Sequence, residues 1–162
     1  MFAKTFICGS PRENGRSAAL CEELFSAEIE RDPTKELALI AISDMEIEGC
    51  DGCDGCKKTF ECVIDDEMQT VYEYINESEE LVIVSPVYMA SVPSQFKAFL
   101  DRLQPYFWSD ARHGELRPAT VHLVGEGSDP FGTKAAQDTI ASAMLVAGYE
   151  IKDVKTHINK SN

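Results

Sequence analysis

The chain has 162 residues, 44% of them hydrophobic and 27% charged, which fits one soluble domain with a full core and excludes a disordered segment. Its net charge of −13 at pH 7 argues against nucleic acid and anionic membrane as partners. No stretch approaches the ~18 apolar residues of a membrane span, and the first residues lack the pattern of a secretion signal, so a cytoplasmic location is expected.

Residues 2–8 read as a short apolar strand. Gly9-Ser10-Pro11-Arg12-Glu13-Asn14-Gly15-Arg16-Ser17 follows. Leu20, Leu24, Phe25 and Ile29 then predict a helix to about residue 30, with Ser17 as its N-cap. A loop of small residues between a strand and a helix N-terminus turns backbone amides toward an oxyanion. Arg12 and Arg16 add full charge, so a phosphate suits the loop; a plain polar turn is the competing reading. The spacing matches neither G-x-x-x-x-G-K-[ST] nor G-x-G-x-x-G, which argues against a triphosphate or dinucleotide loop. Asp32-Pro33-Thr34 ends the helix, and residues 37–42, apolar on both faces, predict a buried parallel strand.

Periodicity stops over residues 43–64, a loop long enough to carry function. It holds Cys50-x-x-Cys53-x-x-Cys56 and, five residues on, Cys62. Thiolates at that spacing can wrap a four-iron four-sulfur cluster, with Gly49, Gly52 and Gly55 easing the turns. Zinc is a second reading, and thiols that bind no metal a third. Cys8 and Cys21 fall on a strand and a helix and read as small buried hydrophobes.

Asp65 and Asp66 open the next helix, with Met68, Val71, Tyr72 and Ile75 at helical spacing. Leu81 to Val84 is a third buried strand, ending at Ser85-Pro86-Val87-Tyr88-Met89. Pro93 suits the start of a helix whose apolar face is Phe96, Phe99, Leu100, Leu103 and Phe107. Residues 119–124 make a fourth strand, followed by a Gly-rich turn over 125–132. Thr133 starts a helix buried through Ala136, Ile140, Ala143, Met144 and Ala147 and stopped by Gly148; residues 149–158 read as a polar edge strand. Lys97, Asp101 and Arg102 suit either a surface pair network or the positioning of a nearby loop, and His113, His122 and His157 lack metal-ligand spacing.

Five strands alternating with four helices predict a single α/β domain. Its expected form is a doubly wound parallel sheet of order 2-1-3-4-5, the flavodoxin-like pattern, with the C-terminal helix lacking. The four irregular stretches then lie along one carboxyl edge and are expected to surround one site. Right-handed crossovers put the first helix alone on one face. The sheet surface it leaves bare is expected to bury against another subunit, as a homodimer or homotetramer.

Four segments, Gly9-Ser10-Pro11-Arg12-x-x-Gly15-x-Ser17, the cysteine run, Asp65-Asp66-x-Met68, and Ser85-Pro86-Val87-Tyr88 with Lys97-x-Phe99-x-Asp101-Arg102, together resemble the NAD(P)H-dependent FMN reductases. The iron–sulfur flavoproteins are the branch most like it. The chain departs from them at Arg16, where Asn is common, and at Pro93-Ser94-Gln95, and its carboxyl end is shorter than in many members. The resemblance implies FMN, with its phosphate at Ser10, Arg12, Asn14, Gly15, Arg16 and Ser17. It places the isoalloxazine ring against Pro86, Val87, Tyr88 and Met89, and a third flavin loop beginning at Gly125. The expected activity is electron transfer from NAD(P)H through FMN to a small-molecule or protein acceptor, with a cluster on Cys50, Cys53, Cys56 and Cys62 where one is present. No side chain is then needed as acid or base. An electron carrier steered to a basic partner by its acidic surface is the alternative, and a module without flavin a third.

Overall fold

The computed structural model describes residues 1–159. Its strands are β1 (Lys4–Cys8), β2 (Leu37–Ala41), β3 (Leu81–Pro86), β4 (Arg117–Gly125) and β5 (Tyr149–Ile158). They pair in parallel throughout, in the order β2-β1-β3-β4-β5. The helices are α1 (Arg16–Arg31), α2 (Cys56–Thr59), α3 (Met68–Glu77), α4 (Ser94–Asp101), α5 (Gln104–Trp108) and α6 (Lys134–Val146). Central β3 is buried along its whole length, as an apolar run covered on both faces requires.

Helix α1 alone covers one face, where Ala18 and Cys21 pack on Phe6, Cys8, Val82, Val84 and Val124. The larger core lies on the opposite face, where Met68, Val71, Ile75, Phe96, Phe99, Ile140 and Met144 meet Ile7, Leu81, Ile83, Val121 and Leu123. Cys8 and Cys21 are both buried; the Cys21 thiol lowers the pKa of Cys8, while Cys8 and burial together push that of Cys21 up. Among the described residues no helix is long and apolar enough to cross a membrane.

Several sequence expectations need correction. Helix α1 begins two residues early: Gly15, not Ser17, is the N-cap, with no side-chain cap, and Ser17 lies buried in the first turn. Strand β2 forms the sheet's edge, so Leu39 is 40% exposed rather than buried. The helix expected from Pro93 through Phe107 is two helices. Pro105 has no N–H to give an interior turn, so α4 ends at Asp101 and α5 restarts with proline in its first turn. Gly148, at φ +84°, does stop α6.

The α1-side surface of β4 and β5 is polar: along it Asp153 pairs with Thr120, and Lys155 with the buried His122. His122 Nδ1 and His157 Nε2 are 3.0 Å apart, with their rings stacked. Apolar burial is therefore not what would draw a second copy to this surface.

Candidate functional site

The turn after β1 is built by close approach. A Cβ on Gly9 would sit 2.5 Å from the Phe96 ring, so only glycine lets α4 pack against this backbone. The Ser10 hydroxyl accepts from the Arg12 amide and donates to the Arg12 carbonyl, both at 3.1 Å, which fixes the turn internally. Among the described residues the amides of Asn14, Arg16 and Ser17 have no protein acceptor. These residues belong to a cleft of about 320 Å³ lined by Ser10, Arg12, Asn14, Gly15, Arg16, Ser17, Pro86, Val87, Tyr88 and Gly125, together with Val124 and Glu126. Ten of the eleven expected flavin residues thus share one cavity. The cleft runs on, through Val87, Gly125 and Glu126, into a second hollow of about 450 Å³ over the 125–132 turn.

Met89 does not line the cleft. Tyr88 and Ser91 exchange backbone hydrogen bonds of 2.8 and 2.9 Å, closing a two-residue hairpin with Met89 at φ +48° and Ala90 at φ +62°. Two positive φ values define the primed turn, normally an Asn-Gly position. Met89 therefore stands at the tip, 95% exposed. The Ala90 carbonyl accepts from the Ala136 amide at 3.0 Å, tying the hairpin to the start of α6. Glu126 carried no sequence signal, yet it takes a 2.9 Å bond from Arg16, so that arginine already has an acidic partner inside the cleft.

The four clustered cysteines form a separate site. Cys50, Cys53, Cys56 and Cys62 ring a pocket of about 140 Å³ whose other walls include Val63, Ile64, Arg102 and Pro105. The pocket and the cleft share no lining residue, so the four irregular loops do not surround one site as expected. All four thiols are free, and burial, with the neighbouring charges of Cys62, Cys50 and Cys53, pushes the Cys56 thiol up. Among the described residues no three His, Cys, Asp or Glu side chains converge closely enough to hold a single ion.

The cysteine loop lies where it does because polar side chains clamp it to the helical layer. Arg102, 1% exposed, meets Asp66 at 2.7 and 2.9 Å and donates to the carbonyls of Glu48 and Ile64. Asp66 also accepts from the Glu48 amide at 2.9 Å and caps α3 through the Met68 amide at 3.0 Å. Gln69 donates to the carbonyls of Cys62 and Ile64, and Glu67 accepts from the Glu46 amide. Burial works to raise the Asp66 carboxyl, but the Arg102 bond and two backbone amides hold it below the usual carboxylate range. Of the two readings of Lys97, Asp101 and Arg102, Lys97 and Asp101 form the surface pair, at 2.5 Å; Arg102 does not join it.

Comparison with known proteins sets this geometry in a family. The family model for NADPH-dependent FMN reductase matches residues 5–160. An iron-sulfur flavoprotein from Methanosarcina thermophila is 35% identical over 100 residues, covering 60% of this chain and 50% of that protein. Another, from Archaeoglobus fulgidus, is 32% identical over 121 residues, covering 75% and 54%. The chain thus spans about half the length of these curated relatives. Two solved structures share the fold at 16% identity and a TM-score of 0.67. An apo NADH:FMN oxidoreductase is matched over 98% of this chain and 76% of its own, and an azoreductase from Bacillus anthracis over 98% and 86%.

Proposed function

The chain belongs to the NADPH-dependent FMN reductase family, and from that premise we propose that it is an FMN-dependent oxidoreductase. It takes electrons from NAD(P)H or a reduced carrier and passes them to a small-molecule or protein acceptor. The observation that carries this reading is the cleft. One wall offers unspent amides at the start of a 16-residue helix, with Arg12 and Arg16 beside them; the other offers Pro86, Val87 and Tyr88. An anionic tail suits the first wall and a flat ring the second. When bound, FMN supplies hydride and single-electron chemistry. Ser10 holds the turn that presents the amides, and the hairpin at Tyr88 fixes the apolar wall.

The donor set of the second pocket fits a 4Fe-4S cluster, in which each iron takes one thiolate, better than a single zinc, which needs its ligands to converge. Cys50, Cys53, Cys56 and Cys62 would hold it.

Titration of the purified protein with FMN, followed by flavin fluorescence, tests the cleft; protein that takes up no FMN refutes the reading. Anaerobic rapid mixing then tests the donor. Fast bleaching by NADH or NADPH is expected, and bleaching only by a reduced redox protein would make the chain a carrier. Anaerobic reconstitution should give iron and sulfide in equal amounts, with Cys62→Ser lowering both.

A further inference from the structure

Arg102 has five N–H donors, and the structure accounts for four. One terminal nitrogen serves Asp66 Oδ2 and the Glu48 carbonyl, at 2.7 and 2.9 Å. The other serves Asp66 Oδ1 and the Ile64 carbonyl, at 2.9 and 3.3 Å. The fifth, Nε–H, is buried without a protein partner. A buried charged group with an unspent donor is costly unless something supplies the acceptor.

The cysteine pocket is what this side chain lines, and several of its oxygens already accept from other donors. The carbonyls of Cys62 and Ile64 accept from Gln69 at 3.1 and 2.6 Å. Asp51 accepts from the Cys53 amide, and Asp54 pairs with Lys57. Four thiols line the same pocket. Of these Cys62 is tied closest to Arg102: the Ile64 carbonyl that Arg102 holds and the Cys62 carbonyl are bridged by the Gln69 amide.

We propose that Arg102 Nε–H donates its hydrogen bond to sulfur at the Cys62 corner of the pocket. Arg102 is then a positioning residue that also sets the potential of the centre. This rests on the reading of the four cysteines as cluster ligands. A donor on a coordinated sulfur favours the more negative, reduced state and so raises the potential.

The test uses anaerobically reconstituted protein and its Arg102→Lys variant, which keeps the charge and loses Nε–H. The variant should shift the cluster's redox equilibrium at least tenfold toward the oxidised form, a fall of about 59 mV for one electron. Native protein grown with 15N-arginine should show a 15N coupling in pulsed electron paramagnetic resonance of the reduced cluster. That measurement decides alone if the variant does not fold. A cluster with no 15N coupling, or with an unmoved potential in the variant, overturns the proposal and leaves the cluster reading standing. Native protein that assembles no cluster overturns both.

Discussion

Replacing Asp66 by Asn probes the clamp that seats the cysteine loop. Asp66 accepts four hydrogen bonds, two from Arg102 and one each from the Glu48 and Met68 amides, at 2.7 to 3.0 Å. An amide keeps one acceptor oxygen and turns an NH2 toward a group that can only donate. The side chains of Arg102 and Asp66 are 0% and 10% exposed, so the guanidinium is left buried and uncompensated. Breaking such a pair from one side costs about 3–5 kcal/mol, a large part of the ~5–15 kcal/mol that holds a domain folded. Urea unfolding at pH 7 should show the midpoint falling by about 2 M for a slope near 2 kcal/mol/M. Because the folded Asp66 carboxyl is depressed, its contribution is complete above the unfolded value of about 3.9 and is lost as pH falls through the lower folded value. The gap between native and variant should therefore be widest at neutral pH and close in acid. A gap no larger than the ~1 kcal/mol of a surface pair, or one that persists unchanged in acid, refutes the reasoning.

Other outcomes follow from the cleft and the sheet. Arg12→Ala should weaken FMN by about 1.5–3 kcal/mol, read by fluorescence titration; unchanged affinity moves the phosphate elsewhere. Arg16→Ala should cost less than Arg12→Ala, and Glu126→Gln should tighten FMN, because Glu126 competes with the phosphate for Arg16. Equal losses at the two arginines would refute that competition. Gly9→Ala should destabilise by about 1–3 kcal/mol through overpacking, since its Cβ would meet the Phe96 ring at 2.5 Å; an unshifted melting curve sinks the argument. Burial first, then the charges of His157 and Lys155, holds His122 down to about 4. A depressed histidine contributes stability above its unfolded value of about 6.5 and loses it as pH falls toward the folded one. His122→Gln should flatten the loss of stability over that window, and identical acid profiles would refute this.

The fold was legible because it rests on local signals. Apolar runs separated by capped amphipathic stretches place β1, β3, β4 and α6 within a residue or two of where they lie. The errors came where long-range context decides. Leu39 looks buried by composition but sits on an edge strand, a fact of strand order. Arg102 follows Asp101 in sequence, yet one faces solvent and the other has lost it, because its partner Asp66 is 36 residues away. Glu126 lies in a stretch with no regular pattern, so its bond to Arg16, 110 residues apart, left no trace in spacing. Met89 stands next to cleft residues and still points out, because the hairpin reverses the chain there.

Small metal-dependent domains commonly stay unstructured until their ion arrives. Here carboxylate, guanidinium and carboxamide hold residues 46–48 and 62–66 to the body of the domain by themselves. The scaffold is therefore held independently of any metal. If the proposed cluster is bound there, stripping it by a chelator or by oxygen should empty the thiols without melting the chain, so that the emptied protein could be refilled instead of degraded.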